Sequence, residues 1–257
     1  MNTNATVQVH LLPALIPDSA LAGGVAVVVD VLRATSVMVR ALASGCEAII
    51  PCLEIEEARQ SARALPGGSA VLAGERQGVA IEGFDFGNSP GDFTPEVCRG
   101  KTVVMTTTNG TRAILASLEA DRVLIGAFAN LRAMREELSR EDRPIHVVCS
   151  GTDGLISFED TLLAGAIVGD LERVRGRTLA NDSARIAALA WSSVTSGSED
   201  LDEVLRTGRG GQRVTELGLG RDIVEAGAVD TIDIVPELRR DPLRIVRAGA
   251  TGAAGIG

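Results

Sequence analysis

The sequence predicts an α/β protein, a three-layer α/β/α arrangement around a mostly parallel or mixed central sheet, with a more helical C-terminal section. Three observations carry this. Short β-branched runs alternate with longer segments of helical period, the order expected when helices cover both faces of a sheet. The apolar fraction is 45% with only 2% aromatics, so a core can form but must be built from Val, Leu, Ile and Ala. Three apolar runs also end in small polar loops: 25–30 into Val31–Ser36, 103–105 into Thr106–Thr111, and 147–149 into Ser150–Gly154. Ligand-binding loops at strand ends are the habit of open α/β sheets.

Taken in order, strands are expected over 7–11, 25–30, 47–51, 70–74, 102–106, 122–125, 145–149 and 231–235. Helices are expected over 35–44, 54–64, 110–118, 129–138, 157–174, 181–194 and 199–206, with shorter ones over 213–218 and 220–227. Thr35 and Ser36 can cap the first of these. Over 157–174, Phe158, Leu162, Ala166 and Leu171 recur near helical period beside Leu163 and Ile167. The stretch 75–101 breaks the rhythm and reads as a long functional loop. Segments 26–50 and 102–126 share one plan of strand, polar loop, helix, turn and strand. The 257 residues fit a single domain over 7–236, with about 180–236 as a lid or subdomain. Ser192–Ser198 reads as a flexible connector, and 1–6 and 248–257 as frayed ends.

Composition removes several functions. A net charge of -9 and scarce aromatics argue against nucleic-acid binding. No apolar run reaches 18 residues, so no membrane span is expected. Four Cys without CxxC spacing read as reduced, buried thiols, and no signal peptide is visible, which together point to the cytoplasm. Of 25 basic residues all but Lys101 are Arg, good partners for tetrahedral and planar anions. His10 lies near the N-terminus and His146 at the start of its strand, so a Ser-His-Asp triad or a His-rich zinc site is not expected. No Cys has an Arg six positions on, which disfavours a cysteine phosphatase. Asp30 lacks the second Asp of a phosphoaspartate motif. Gly100-Lys101-Thr102 precedes a strand and lacks the first glycine of a Walker loop.

Carboxylates, arginines, hydroxyls and amides remain. Asp30, Glu75 and Asp153 are candidate metal ligands and catalytic carboxylates, with Glu159 and Asp160 as further catalytic candidates. Without His or thiolate ligands such a set favours a hard cation, Mg2+ first. Arg33, Thr35, Ser36, Arg76, Asn88, Ser89, Thr107, Asn109, Gly110 and Thr111 are candidate substrate-binding residues, since cations and free helix-start N–H groups hold anions. Each also has a structural reading: caps for Thr35, Ser36 and Thr107–Thr111, a surface ion pair for Glu75 and Arg76, turn formation for Asn88 and Ser89, and helix-dipole charges for Asp153, Glu159 and Asp160. The combination points to an enzyme acting on a small phosphorylated anion, and a homo-oligomer is compatible with it.

Five blocks, DVLRATS (30–36), GERQGVAIEGFDFGNSP (74–90), TTTNGTRA (106–113), CSGTDGLISFEDTLLAGA (149–166) and LGLGRDIVEAGAVDTIDIVP (217–236), closely resemble the 2-phosphosulfolactate phosphatases of coenzyme M biosynthesis. The resemblance covers most of 25–236 and implies an α/β/α fold and Mg2+-dependent hydrolysis of 2-phospho-3-sulfolactate to 3-sulfolactate and phosphate. The last block departs at Ala226, where the family commonly has Cys. On that reading Mg2+ sits between Asp30, a second carboxylate (Glu75 or Asp153) and the phosphate. Arg33 and Arg76 take anionic oxygens, a positioned water or Asp30 itself attacks phosphorus, and Glu159 or Asp160 protonates the leaving oxygen. A phosphatase for another α-hydroxyacid phosphate, a noncatalytic binder of phosphorylated metabolites, and a metal-dependent phosphotransferase are the competing readings.

Overall fold

The computed structural model describes residues 6–249. Among the described residues eleven strands form one sheet: β1 (Thr6–His10), β2 (Val25–Val29), β3 (Ala48–Pro51), β4 (Ala70–Arg76), β5 (Val79–Ala80), β6 (Thr102–Thr106), β7 (Arg122–Gly126), β8 (Ile145–Cys149), β9 (Thr178–Leu179), β10 (Pro236–Arg240) and β11 (Leu243–Arg247). The order across the sheet is β5-β4-β6-β3-β11-β10-β7-β2-β8-β1-β9. Ten α-helices accompany it among the described residues: α1 (Ala34–Ala43), α2 (Ile55–Ala64), α3 (Pro95–Cys98), α4 (Gly110–Ala116), α5 (Leu131–Ser139), α6 (Phe158–Arg175), α7 (Asp182–Thr195), α8 (Leu201–Thr207), α9 (Arg209–Glu216) and α10 (Gly220–Gly227). The expected α/β/α class is what the chain adopts.

The sheet has two parallel halves, β4-β6-β3 and β7-β2-β8-β1-β9, joined through the antiparallel hairpin β10-β11. The hairpin meets each half antiparallel, at Glu237↔Leu124 and Ile245↔Ile49, so strand sense reverses from one half to the other. A flat sheet would then put the two sets of carboxyl ends on opposite edges. They meet instead, because Thr108, after β6, donates to Glu75 at the end of β4, and Gly110, after β6, stands beside Asp30 at the end of β2, so the sheet must bend. On β2, Val25, Val27 and Val29 enter one core with α5, α6 and α7, while Ala26 and Val28 enter a second with α1 and α4. That second core also takes Ile49, Val71, Ala73, Val103 and Met105 from the other half. Both halves thus pack on the same α1–α4 layer, and the sheet bends around it. The β2-α1-β3 and β6-α4-β7 units, the two segments of shared plan, each cross from one half to the other.

Helix α6 is buried along most of its length and ends at Gly176, whose φ of 63° closes the last turn with Arg177 N bonded to Leu171 O at 3.2 Å. Near its middle α7 lies so close that a Cβ on Gly165 would stand 2.0 Å from Ala187 O.

Several expectations need correction. Residues 231–235 form no strand; the strand begins at Pro236, where the chain pairs with β11, a strand the expected set lacks. The first four residues of the expected connector, Ser192–Thr195, complete α7. Glu75 and Arg76 belong to β4, because β5 folds back on them through the pairs Glu75↔Ala80 and Arg76↔Val79. His10 lies in β1, inside the strand expected over 7–11, and is buried against His146 with ring centroids 5.5 Å apart and His10 Nε2 3.2 Å from His146 Nδ1. Positions 1–5 and 250–257, which hold most of both expected frayed ends, lie outside the described residues. All four cysteines are free and buried, as expected.

Candidate active site

The bend brings the loops after β2, β4, β6 and β8 to one cavity. It holds about 510 Å3 of atom-free space, part of it open to solvent, and its wall includes Asp30, Arg33, Glu75, Asn88, Thr107 and Asp153.

Asp30 leaves β2 with 6% of its surface exposed. Its Oδ1 accepts from Ala34 N at 3.1 Å. Thr35 Oγ1 accepts from Asp30 N at 2.9 Å and donates to Asp30 O at 3.0 Å, and Ser36 Oγ donates to Val31 O at 2.8 Å. The two hydroxyls thus fix the loop that presents Asp30. Burial pushes the Asp30 carboxyl up to about 6, helped by the negative charge of Glu75 and opposed by the Ala34 N–H, by Ser150 and by Arg33.

Glu75 is buried, and its two oxygens accept from Thr108 N at 2.7 Å and Gly78 N at 2.6 Å. It therefore ties the β4–β5 turn to the loop after β6. Arg76 follows in the strand and points the other way. Its guanidinium donates to Leu53 O at 3.0 Å, Thr106 Oγ1 at 2.9 Å and Glu75 O at 2.9 Å, and it is not part of the cavity wall. In the loop after β6, Thr111 N donates to Thr107 Oγ1 at 3.2 Å and Thr107 N to Thr111 Oγ1 at 3.3 Å, closing the start of α4. Asn109 reaches the cavity half-buried. Gly110 lies so near β2 that a Cβ there would stand 2.5 Å from Ala34 Cβ and 2.9 Å from Asp30 Oδ2. Only glycine allows the approach.

Arg33 is the buried cation of the site. Nη1 donates to Asp222 Oδ2 at 2.6 Å and Ser89 Oγ at 3.2 Å, Nη2 donates to Gly78 O at 2.9 Å, and Ser89 Oγ donates to the same Asp222 oxygen at 2.8 Å. Two cavity-wall atoms, Asn88 Oδ1 and Thr108 Oγ1, are buried without a hydrogen-bond partner, polar capacity that a ligand can satisfy.

The acidic residues after β8 divide. Asp153, at φ 54°, is exposed on the cavity rim and accepts from Arg213 Nη1 at 2.7 Å, with Arg209 Nη2 at 3.8 Å. Asp160 lies behind the wall: Oδ1 accepts from Val31 N at 2.8 Å, and Oδ2 from Gly151 N at 3.0 Å and Ser150 Oγ at 3.1 Å. It locks the loops after β2 and β8 together. Burial, then Asp30 and Glu159, hold its carboxyl well above the usual range. Glu159, also behind the wall, is pushed up to about 7 by burial and by Asp30. Its Oε2 has no partner, and its carboxyl group packs on Gly208 and Gly210 at the start of α9. Neither Glu159 nor Asp160 lines the cavity, so neither stands where it could donate directly to a bound ester.

A family model of 2-phosphosulpholactate phosphatase matches residues 10–241. The chain belongs to the 2-phosphosulfolactate phosphatase family. The probable 2-phosphosulfolactate phosphatase of Caldanaerobacter subterraneus subsp. tengcongensis is 37% identical over 218 residues, covering 85% of this chain and 89% of that one. Its counterpart in Clostridium perfringens (strain SM101 / Type A) is 36% identical over 236 residues, 91% and 94% of the two chains, and that of Clostridium novyi (strain NT) is 39% identical over 211 residues, 82% and 87%. This member of the 2-phosphosulfolactate phosphatase family is accordingly an enzyme, a phosphatase. Among its described residues no helix is long and apolar enough to cross a membrane.

In this phosphatase sequence reasoning missed Asp222, which pairs with Arg33, and Arg213, which reaches the cavity from α9 beside Val214 and Leu217. The five-block resemblance did contain Asp222, at the start of α10, but gave it no partner. Arg209 and Arg213 stand at i and i+4 of one helix, a signal that two cations share a face, though not which surface that face meets.

Proposed function

We propose that this enzyme hydrolyses 2-phospho-3-sulfolactate to 3-sulfolactate and phosphate with Mg2+, the step that the resemblance places in coenzyme M biosynthesis. The observation that carries the reading is the meeting of Asp30, Arg33, Glu75, Asn88 and Thr108 around one cavity, from loops far apart in the chain. The names of the relatives supply the substrate.

Burial, with a smaller contribution from the charge of Glu75, disfavours the ionised form of Asp30, and a hard cation beside it would offset that cost. Among the described residues no three His, Cys, Asp or Glu side chains form a metal-binding group, and Asp153 is engaged by Arg213. Mg2+ needs only one or two carboxylates, completing its shell with water and phosphate oxygens, so Asp30 and Glu75 fit it and would hold it. When bound, Mg2+ supplies charge neutralisation and Lewis acidity at the phosphoryl group.

The chain's own residues do the rest. Arg33, fixed by Asp222, Ser89 and Gly78 O, offers a cation that spends no entropy on finding its position. Thr108 Oγ1, otherwise unpartnered, can donate to an ester or carboxylate oxygen, and Asn88 Oδ1, likewise unpartnered, can accept from a bound water or a substrate hydroxyl. Asp30, on the cavity wall, stands where it could orient the attacking water and accept its proton. With Glu159 and Asp160 behind the wall, protonation of the leaving oxygen falls to cavity water. The test is phosphate release from 2-phospho-3-sulfolactate, 2-phospholactate and 3-phosphoglycerate, each with Mg2+ and with EDTA. Release that is fastest from phosphosulfolactate and abolished by EDTA supports the reading. Saturable binding without release overturns it in favour of a metabolite-binding protein.

A further inference from the structure

Arginine reaches the cavity twice, and the two residues are held in opposite ways. Arg33 is sealed: its ion pair with Asp222 leaves 4% and 7% of the two side chains exposed. Arg213 is not. Its partner Asp153 stands at the solvent rim, with the two side chains 32% and 36% exposed. An exposed pair of this kind contributes little stability and exchanges readily, whereas a buried one is costly to open. A second cation, Arg209, stands one helical turn away, 3.8 Å from the same Asp153 oxygen, so an anion replacing Asp153 would meet two guanidinium groups.

Arg213 is also placed with precision relative to the reacting end. Its Nη2 donates to Gln77 O at 2.8 Å, while the next carbonyl, Gly78 O, accepts from Arg33 and Gly78 N donates to Glu75. One two-residue turn thus spaces both arginines and the Glu75 carboxylate. Gln77 and Gly78 adopt φ of 54° and 81°, and Leu217, the residue that follows α9, presses on the turn so closely that a Cβ on Gly78 would stand 2.6 Å from its Cδ1. Beside Arg213 the cavity wall also carries apolar surface from Val214 and Leu217. A site for a weakly basic, weakly hydrated anion on a short carbon arm needs that combination of guanidinium donors and apolar surface.

The geometry points to Arg213 as the specificity-determining residue that binds the substrate's sulfonate, with Asp153 as the resting partner it gives up. The assignment rests on the functional reading above and deepens it: the phosphate lies at the Asp30–Glu75 end, and the sulfonate lies under α9. Asp153 then acts by occupying Arg213 in the free enzyme, not as a metal ligand.

The experiment compares Arg213→Gln, Arg213→Lys and Asp153→Asn with the wild-type enzyme on 2-phospho-3-sulfolactate and on 2-phospholactate, which lacks only the sulfonate. A charged hydrogen bond to substrate is worth roughly 10- to 100-fold. Arg213→Gln should therefore lower kcat/KM for phosphosulfolactate by about that factor, mainly through KM, and change phospholactate by less than about threefold, with Arg213→Lys recovering part of the loss. Asp153→Asn should lower KM for phosphosulfolactate by releasing Arg213 from its resting partner. Equal losses on both substrates in Arg213→Gln, or collapse of kcat in Asp153→Asn, overturn the assignment. Calorimetric binding of 3-sulfolactate against lactate separates this from the reaction itself. A wild-type preference for sulfolactate that vanishes in Arg213→Gln upholds the sulfonate site even if neither ester is hydrolysed. No preference in the wild type overturns it even if both esters are.

Discussion

Replacing Asp222 tests the packing of the site most sharply, because the residue lies on α10 and touches the cavity only through Arg33. The pair is short, at 2.6 Å, and both side chains are almost fully buried. Asp222→Ala leaves the Arg33 charge buried with two remaining partners, Ser89 Oγ and Gly78 O. Breaking one side of a buried pair costs about 3–5 kcal/mol. Asp222→Asn keeps the shape and one acceptor, so its cost should fall to about 2–3 kcal/mol, near that of a charged hydrogen bond. Urea unfolding of the two variants measures both values from the midpoint and slope. A second arm adds Arg33→Met to Asp222→Ala. Removing the stranded charge should return at least about 1 kcal/mol relative to the sum of the single changes, the signature of coupled neighbours. With phosphosulfolactate as substrate, kcat/KM of Asp222→Asn should fall by about tenfold or more as Arg33 loses its anchor. A loss of stability under about 1 kcal/mol in Asp222→Ala, or strict additivity in the double variant, would refute the reasoning.

Further outcomes follow from other parts of the molecule. Gly165→Ala should destabilise by about 1–3 kcal/mol, because the added methyl meets the Ala187 carbonyl at 2.0 Å; Gly169→Ala, one turn on and 4.0 Å from Ala188 Cβ, should be neutral or stabilising by up to about 1 kcal/mol, and equal behaviour in urea would mean the α6–α7 contact is looser than described. Burial, and then the neighbouring His10, hold His146 down to about 4 against 6.5 in the unfolded chain, so the unfolded chain takes up the proton first and stability present above about pH 6.5 is lost as pH falls towards 4. Asp30 and Glu159, raised to about 6 and about 7, act in the opposite sense, so His146→Asn should show a smaller fall in urea midpoint between pH 7 and pH 5 than the wild type; identical falls would contradict the assignment. Metal ligation needs ionised carboxylates, so the rise in melting temperature caused by Mg2+ should be larger at pH 8 than at pH 5, and a shift independent of pH would argue against Asp30 as a ligand.

Much of the fold was legible because periodicity reports burial. The Val25–Val29 run alternates between two cores, and the helical period of 157–174 matches α6 within a residue at each end. The hairpin was not legible. Its strands, PELRR and LRIVR, carry charges at a density that reads as surface, yet Glu237 is buried in an ion pair with Arg122, Nε to Oε1 at 2.9 Å. A partner 115 residues away in sequence makes that strand tolerable, and no local pattern announces it. The same limit applies at the site. Strand-end position pointed to Asp30, Glu75 and the Thr107–Asn109 loop. The direction of a side chain from its strand did not follow from composition, so Arg76 was grouped with Glu75 although it turns to Leu53 O and Thr106. Glu159 and Asp160 looked alike in sequence, and only packing shows that Asp160 ties two loops together while Glu159 backs α9.

In the proposed reaction Asp30 is the group at which the two halves of the bent sheet meet the reacting phosphate. The measurement that tests this most directly is a single turnover of 2-phospho-3-sulfolactate with Mg2+ in excess, run in 18O-labelled water on the wild-type enzyme and on Asp30→Asn, with folding of the variant confirmed by its urea midpoint. The account predicts that the wild type releases phosphate carrying one solvent oxygen in the first turnover, and that folded Asp30→Asn releases it at least about a thousandfold more slowly, the combined loss of a proton acceptor and a charged ligand. Folded Asp30→Asn turning over at the wild-type rate would contradict it.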